Sequence, residues 1–139
     1  KLINGELYIL QSATGELIRI DRKSGKKETI TQLDSFVRGM DICGEYLFIG
    51  LSKLRKGSKT FAKLADNFGK NEAGIAIIHL PTGSFAGQIT YQNSVEEIYD
   101  VKVLPNTKRP NILNPLSEES NMAVSTPTST FWAIKNVNN

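Results

Sequence analysis

The side chains best suited to hold a ligand are polar and lie far apart in the sequence. Arginine offers a planar donor fork that matches carboxylate or phosphate, hydroxyl groups add hydrogen bonds, and carboxylates add acceptors or oxygen ligands for a hard metal ion. A site that combines these groups would suit a polar or anionic small ligand. The candidate ligand-binding residues are Ser12, Thr14, Arg38, Ser52, Lys53, Arg55, Glu96 and Glu97.

A structural role is the alternative for several of these residues. Arg38 and Glu97 occupy equivalent places in consecutive repeats, which are described below, and would then pair with each other. Thr14 would hydrogen-bond within its own turn. Glu96 and Glu97 are adjacent, so on a strand they point to opposite faces and do not form a glycosidase-type carboxylate pair.

Two aspartates are candidates for metal binding. Asp41 and Asp100 fall on strands that are predicted to be innermost in their repeats, where a carboxylate would reach a central channel and a divalent metal ion. The alternative is that each aspartate holds a neighbouring loop through backbone hydrogen bonds. No other cofactor is predicted.

The residue types most often used in catalysis are isolated. His79 is the only histidine and Cys43 the only cysteine, so a nucleophilic triad or a zinc site has no partners to build on. We expect Cys43, between Ile42 and the turn at Gly44, to be a small buried side chain. No catalytic residue is predicted.

Charge and hydropathy narrow the class of protein. The net charge of +3 is too small to imply a nucleic-acid partner. Residues 51–72 alone carry a net charge of +4, and we expect them to form a solvated basic loop. No apolar run reaches the ~20 residues of a membrane-spanning helix, so we predict a soluble protein. The single cysteine favours the cytoplasm.

An internal repeat organises the chain. Each copy reads as a glycine turn, strands that are apolar on both faces, and a more polar strand suited to an outer edge. Gly5 and Gly44 are 39 positions apart, near the ~40-residue period of a propeller blade, whereas Asp41 and Asp100 are 59 apart. The second copy therefore carries an insertion of about 20 residues. Residues 5–9 match 44–49, residues 15–21 match 74–80, and residues 37–42 match 96–101.

These matches predict an all-β fold of the β-propeller type, a partial ring of four-stranded antiparallel blades with one long inserted loop. The polar strands 27–31 and 85–91 are predicted at sheet edges, and the insertion is predicted to hold a short helix at 60–65. Propeller blades are predicted over residues 1–115: strands two to four of a partial blade at 1–33, and a full blade at 37–92 with the insertion 51–72. A third blade is predicted to start at 96–114, with strands at 98–104 and 111–113. An irregular polar tail is predicted at 116–139, and it docks through a strand at 131–134.

Several motifs resemble those of a bacterial β-propeller family that is classed as a domain of unknown function and is sometimes attached to tetratricopeptide repeats. The resemblance covers about residues 2–110, and residues 95–101 are its most specific part. It implies the propeller fold and a place in the C-terminal part of a longer protein, and it implies no catalytic residue. The insertion is richer in lysine than is usual in the family. The other matching motifs are residues 12–17, 38–39, 49–55, 60–61, 104–105 and 109–110.

Propeller topology predicts where a site would lie. The loop before the innermost strand and the loop between strands two and three open on the same face of the disc, which gathers the candidate ligand-binding residues there by fold-level analogy. We therefore predict a non-catalytic binding or interaction module for a polar or anionic ligand or a partner protein. The alternative is a metal-dependent enzyme of the lactonase-like or quinoprotein-like propeller type. Open strand edges predict that the remainder of a longer polypeptide, or a homo-oligomer, closes the ring.

Overall fold

The fold is all-β. The computed structural model of the chain describes residues 1–54, 68–69, 72–92, 95–108, 116, 123–125 and 130–132. These residues form two four-stranded antiparallel sheets and one two-stranded hairpin, with no helix among them. The prediction of an all-β fold with four-stranded antiparallel blades is confirmed.

Both large sheets follow the chain order from one edge to the other. Sheet A contains β1 (Leu2–Ile3), β2 (Glu6–Gln11), β3 (Glu16–Ile20) and β4 (Lys27–Gln32), and sheet B contains β5 (Phe36–Cys43), β6 (Tyr46–Ser52), β7 (Ala73–His79) and β8 (Ser84–Tyr91). The last strands, β4 and β8, are the mostly exposed polar edges that the sequence predicts. Leu51 and Ser52, the first residues of the predicted insertion 51–72, belong to β6, and the rest of the insertion falls between β6 and β7.

The chain divides into two compact units, Lys1–Pro105 and Asn106–Asn139. The first contains sheets A and B. In the second, β9 (Ala123–Ser125) pairs with β10 (Thr130–Trp132) in an antiparallel hairpin. The polar tail, predicted to be irregular before residue 131, therefore already contains a strand at β9.

Tight turns set the first hairpin of each sheet. Asn4 and Gly5 have φ of 50° and 85°, the left-handed pair that a type I′ turn requires, and they join Ile3 to its partner Glu6. In sheet B, Gly44 has φ of 58° and begins the turn that joins Cys43 to Tyr46. These turns fix the pairing register of the strands that follow.

The strand registers correct the sequence repeat by one residue. Glu6 and Tyr46 are the first residues after their turns, so Tyr8 of sheet A is equivalent to Phe48 of sheet B. Leu17 is then equivalent to Ile75, whereas the sequence match of residues 15–21 to 74–80 pairs Leu17 with Ala76. Because successive strand residues point to opposite faces, this shift exchanges the two faces of the sheet.

The core lies between the two sheets. Residues opposite each other in a ladder share a face, and Leu47, Ile49 and Ile78, on the face of sheet B that packs on sheet A, are fully buried. Sheet A contributes Tyr8 and Leu17 from the face equivalent to that of Phe48, and both side chains are buried. One face of sheet A therefore packs on the opposite face of sheet B, as consecutive propeller blades do.

Other expectations differ from the structure. Sheet A has a short innermost strand, β1, in addition to the predicted strands two to four. Residues 98–104 join no sheet, because side chains provide most of their hydrogen bonds to β5 and β6. Cys43 is exposed, because it lies beside the turn on the face of sheet B that sheet A does not cover. The predicted helix at 60–65 and the predicted strand at 111–113 fall outside the described residues.

Within the described ranges, no helix has the length and apolarity needed to cross a membrane.

The corrected faces give a direct mutational test. Leu47 is fully buried, whereas its neighbour Tyr46 is 45% exposed on the other face. We expect Leu47→Ala to lower the free energy of unfolding by about 2–5 kcal/mol, since it leaves a cavity in the core. Tyr46→Ala should cost less than about 1 kcal/mol, and equal losses in urea unfolding followed by circular dichroism would contradict the assigned register.

Candidate functional site

Residues 95–104 lie directly on the strands of sheet B. A Cβ atom at Gly39 would lie 2.4 Å from the Cα of Asp100, and one at Gly50 would lie 2.6 Å from Cγ2 of Ile98. Gly39 also has φ of 66° and sits at the bulge where the β5–β6 register shifts. Two glycines therefore provide the space in which this segment approaches the sheet.

Ser52 and Lys53, both predicted ligand-binding residues, fasten this segment. The side chain of Ser52 is 4% exposed, and its Oγ donates to the carbonyl of Ile98 at 3.0 Å and accepts from the Ile98 N–H at 2.9 Å. The backbone N–H of Lys53 donates to the carbonyl of Glu96 at 2.8 Å. The Ser52 hydroxyl thus positions the segment from inside the protein.

Arg38 and Glu97 meet through Tyr99. The guanidinium carbon of Arg38 lies 4.3 Å from the centroid of the Tyr99 ring, and the Tyr99 hydroxyl donates to the Glu97 carboxylate. Tyr99 is 64% exposed, so this stack stands at the surface. A cation held over an aromatic face is attracted by the ring quadrupole. The structure therefore brings these two predicted residues together, with Tyr99 rather than a direct ion pair between them.

Thr14 lies apart from the segment at residues 95–104. Its hydroxyl donates to Glu16 at 2.6 Å, which is the local bonding expected under the structural alternative. Thr14 lines a cavity of about 250 Å³ together with Gln32, Leu33, Asp34 and Phe68. Ser12 lines neither this cavity nor the groove described next, and Arg55 lies outside the described residues.

A groove of about 470 Å³ runs between sheet B and residues 95–102. Its floor includes Ile75 of β7 and Tyr91 of β8, and Ile98 and Val101 form an apolar wall. Charged and polar groups line the rim. An apolar floor with a polar rim is the anatomy of a protein-binding surface. The rim residues are Glu97, Tyr99, Asp100 and Lys102.

Ile75, Tyr91 and Tyr99 were not among the predicted site residues. Ile75 and Tyr91 read as ordinary strand residues, although their equivalents in sheet A under the corrected register, Leu17 and Leu33, are 0% and 9% exposed. Tyr91, in contrast, is 38% exposed. The signal that could have identified them is a repeat position that is buried in sheet A and exposed in sheet B.

Asp41 joins three parts of the first unit. One carboxylate oxygen accepts from the Ile42 N–H at 3.0 Å and pairs with the Lys1 ammonium, and the other accepts from the Val103 N–H at 2.9 Å. The Lys1 side chain, followed by the Val103 N–H, lowers the pKa of Asp41 from 3.8 to about 2. Asp41 therefore connects β5 to both ends of this unit.

Asp100 repeats part of this geometry. Its carboxylate accepts from the N–H of Val101, the next residue, at 2.9 Å, as that of Asp41 accepts from Ile42. The structure thus assigns backbone hydrogen bonds to both predicted metal ligands. In the ranges that the structure covers, no three histidine, cysteine, aspartate or glutamate side chains are grouped in a way that would hold a metal ion.

A family model described as a domain of unknown function, DUF4915, matches residues 1–113. No curated protein and no solved structure matches the chain.

The two left-handed glycines of β5 and its turn form a matched pair for testing the contact at residues 100–101. Gly39→Ala places a methyl group within 2.4 Å of the Asp100 backbone, whereas the same change at Gly44 meets no atom within 4 Å. Both variants carry the φ penalty of about 1–2 kcal/mol. We expect Gly39→Ala to lose more stability in urea unfolding and to increase amide hydrogen exchange at 98–103, and equal behaviour of the two variants would contradict the contact.

Acid titration tests the connection made by Asp41. Because its folded-state pKa is about 2 and its ordinary value is 3.8, the carboxylate adds stability that is fully present above about pH 4 and is lost as the pH falls towards 2. We expect the free energy of unfolding of the parent protein to fall more steeply over this interval than that of Asp41→Asn. Parallel pH profiles from urea unfolding would show that the carboxylate charge adds no stability.

Proposed function

We propose that this chain, which belongs to the DUF4915 family of unknown function, is a non-catalytic interaction module that binds a partner protein. The binding surface is the groove between sheet B and residues 95–102. The observation that carries the proposal is the open apolar floor at Ile75 and Tyr91 under a charged rim. Apolar side chains left half-exposed in a concave site gain from contact with a partner.

The rim would select the partner. Tyr99 is an exposed aromatic residue held between a cation and a carboxylate, and tyrosine and arginine are enriched among residues that dominate binding energy at interfaces. Arg38 would receive a carboxylate or another anionic group of the partner, which keeps the predicted preference for polar or anionic ligands. Asp100 and Lys102, with Nζ and Oδ2 4.0 Å apart, add one charge of each sign.

The propeller ring is part of the same proposal. Sheet A packs one face on the opposite face of sheet B, so the same step, repeated, would generate a ring of blades. The rest of a longer polypeptide, or sister copies, would supply the remaining blades. Membership of a bacterial propeller family with attached tetratricopeptide repeats stays a prediction.

The enzyme alternative has weaker support. It requires Asp41, Asp100 or Glu97 to hold a metal ion, yet Asp41 already bonds Lys1, Ile42 and Val103 through its two oxygens. A peptide segment could bind in the groove without breaking these contacts of Asp41.

Selection from a displayed library of random peptides tests the proposed function on the full chain. We expect enriched peptides to bind the protein saturably in isothermal titration calorimetry. The variant Tyr91→Glu should bind them at least about tenfold more weakly, because it places a charge on the apolar floor.

Phe85→Glu is the matched control. Phe85 is 55% exposed on the same strand, β8, but it pairs with Ile78 and so belongs to the face opposite the groove. Its variant should retain binding. Failure to enrich any saturable binder, or equal affinity of both variants, would contradict the proposed groove.

A further inference from the structure

We propose that the partner binds as an added β-strand along residues 100–102, with alternate apolar side chains on Ile75, Ile89 and Tyr91. This inference rests on the proposed function and specifies its binding mode. Its template lies within the chain itself, because β6 occupies the equivalent place beside β5 and over sheet A.

The first step is the equivalence of residues 98–102 to β5. Asp41 and Asp100 each accept a hydrogen bond from the N–H of the next residue, at 3.0 and 2.9 Å. Ile42 and Val101, which donate those bonds, therefore occupy equivalent positions. The segment lies on sheet B where a following blade would place its innermost strand.

The second step concerns the open backbone edge. Since the Ile42 N–H bonds the Asp41 carboxylate, alternation along an antiparallel ladder directs the backbone groups of Asp41 and Cys43 towards β6. The equivalent groups in the segment belong to Asp100 and Lys102, and both residues line the groove. Among the described residues, none forms a hydrogen bond with the backbone of Asp100 or Lys102. An extended peptide would pair with these groups.

The third step is the floor. Alternate residues of β6, namely Leu47, Ile49 and Leu51, point at sheet A and are at most 3% exposed. Ile75 and Tyr91 line the groove, and Ile89, which pairs with Ile75, lies on the same face of sheet B; Ile89 and Tyr91 are 49% and 38% exposed. A strand with the apolar alternation of β6 would cover this face in the same way. Such strand addition takes affinity from main-chain hydrogen bonds and selectivity from alternate side chains.

A peptide that copies residues 45–53, with a dye and a charged solubilising tail, is the probe. We expect it to bind the full chain saturably in fluorescence anisotropy. Methylation of the backbone nitrogen that corresponds to Phe48 should weaken binding at least about tenfold, because Phe48 pairs with Asp41 and directs its N–H at the innermost strand.

The matched peptide is methylated at the nitrogen that corresponds to Ile49, whose N–H points away from the innermost strand. It should retain most of the affinity. On the protein side, Tyr91→Glu should abolish peptide binding and Phe85→Glu should not.

Two results would overturn strand addition: no binding of the parent peptide, or equal affinity of the two methylated peptides. The outcomes separate the two proposals. If binding of the library peptides depends on Tyr91 but the two methylated peptides bind equally, the groove is still a binding site. Only binding by strand addition is then contradicted.

Discussion

The described structure depends on how closely residues 98–101 approach sheet B. Gly39 and Gly50 are the points of contact, and a side chain at either would push the segment outwards. Once the segment is seated, the buried hydroxyl of Ser52 bonds both backbone groups of Ile98, and Asp41 reaches the N–H of Val103. Because unpaired buried polar groups are costly, the segment needs both the space that the two glycines leave and the hydrogen bonds that its close approach makes possible.

This constraint also explains the chemistry of the candidate site. Several polar residues that read as ligand donors in the sequence are used inside the protein: Ser52 on Ile98, Thr14 on Glu16, and Asp41 on two backbone N–H groups. The described residues place at the surface an aromatic ring between opposite charges and an apolar face that they leave uncovered. These features are typical of recognition of a polypeptide more than of chemical turnover.

Much of the fold was predictable because turn chemistry and strand patterns are local. The Asn4-Gly5 turn, the outer position of the polar strands and the four-stranded sheets all follow from short stretches of sequence. The register was not, because aligning glycine with glycine assumes that both have the same role. Gly15 is a turn residue with φ of 73°, whereas Gly74 lies within β7, where a Cβ would meet the carbonyl of Ile89 at 2.3 Å. One glycine provides a backbone conformation and the other provides space.

The candidate site was predictable only in part for the same reason. The repeat predicts that Arg38 and Glu97 are neighbours, but Tyr99, which joins them, is aromatic and is not one of the residue types that predict a site for a polar or anionic ligand. The groove floor depends on which face of sheet B is covered, and a one-residue error in register reverses that answer. With the register fixed by the turns, the same repeat explains both surfaces. Leu17 is buried because sheet B covers sheet A, and Ile75 lies under a groove because, among the described residues, 95–102 are those that cover the equivalent face. Sheet B thus covers one face of sheet A, whereas residues 95–102 cover only part of the equivalent face of sheet B. This partly covered face is the physical basis for expecting a partner.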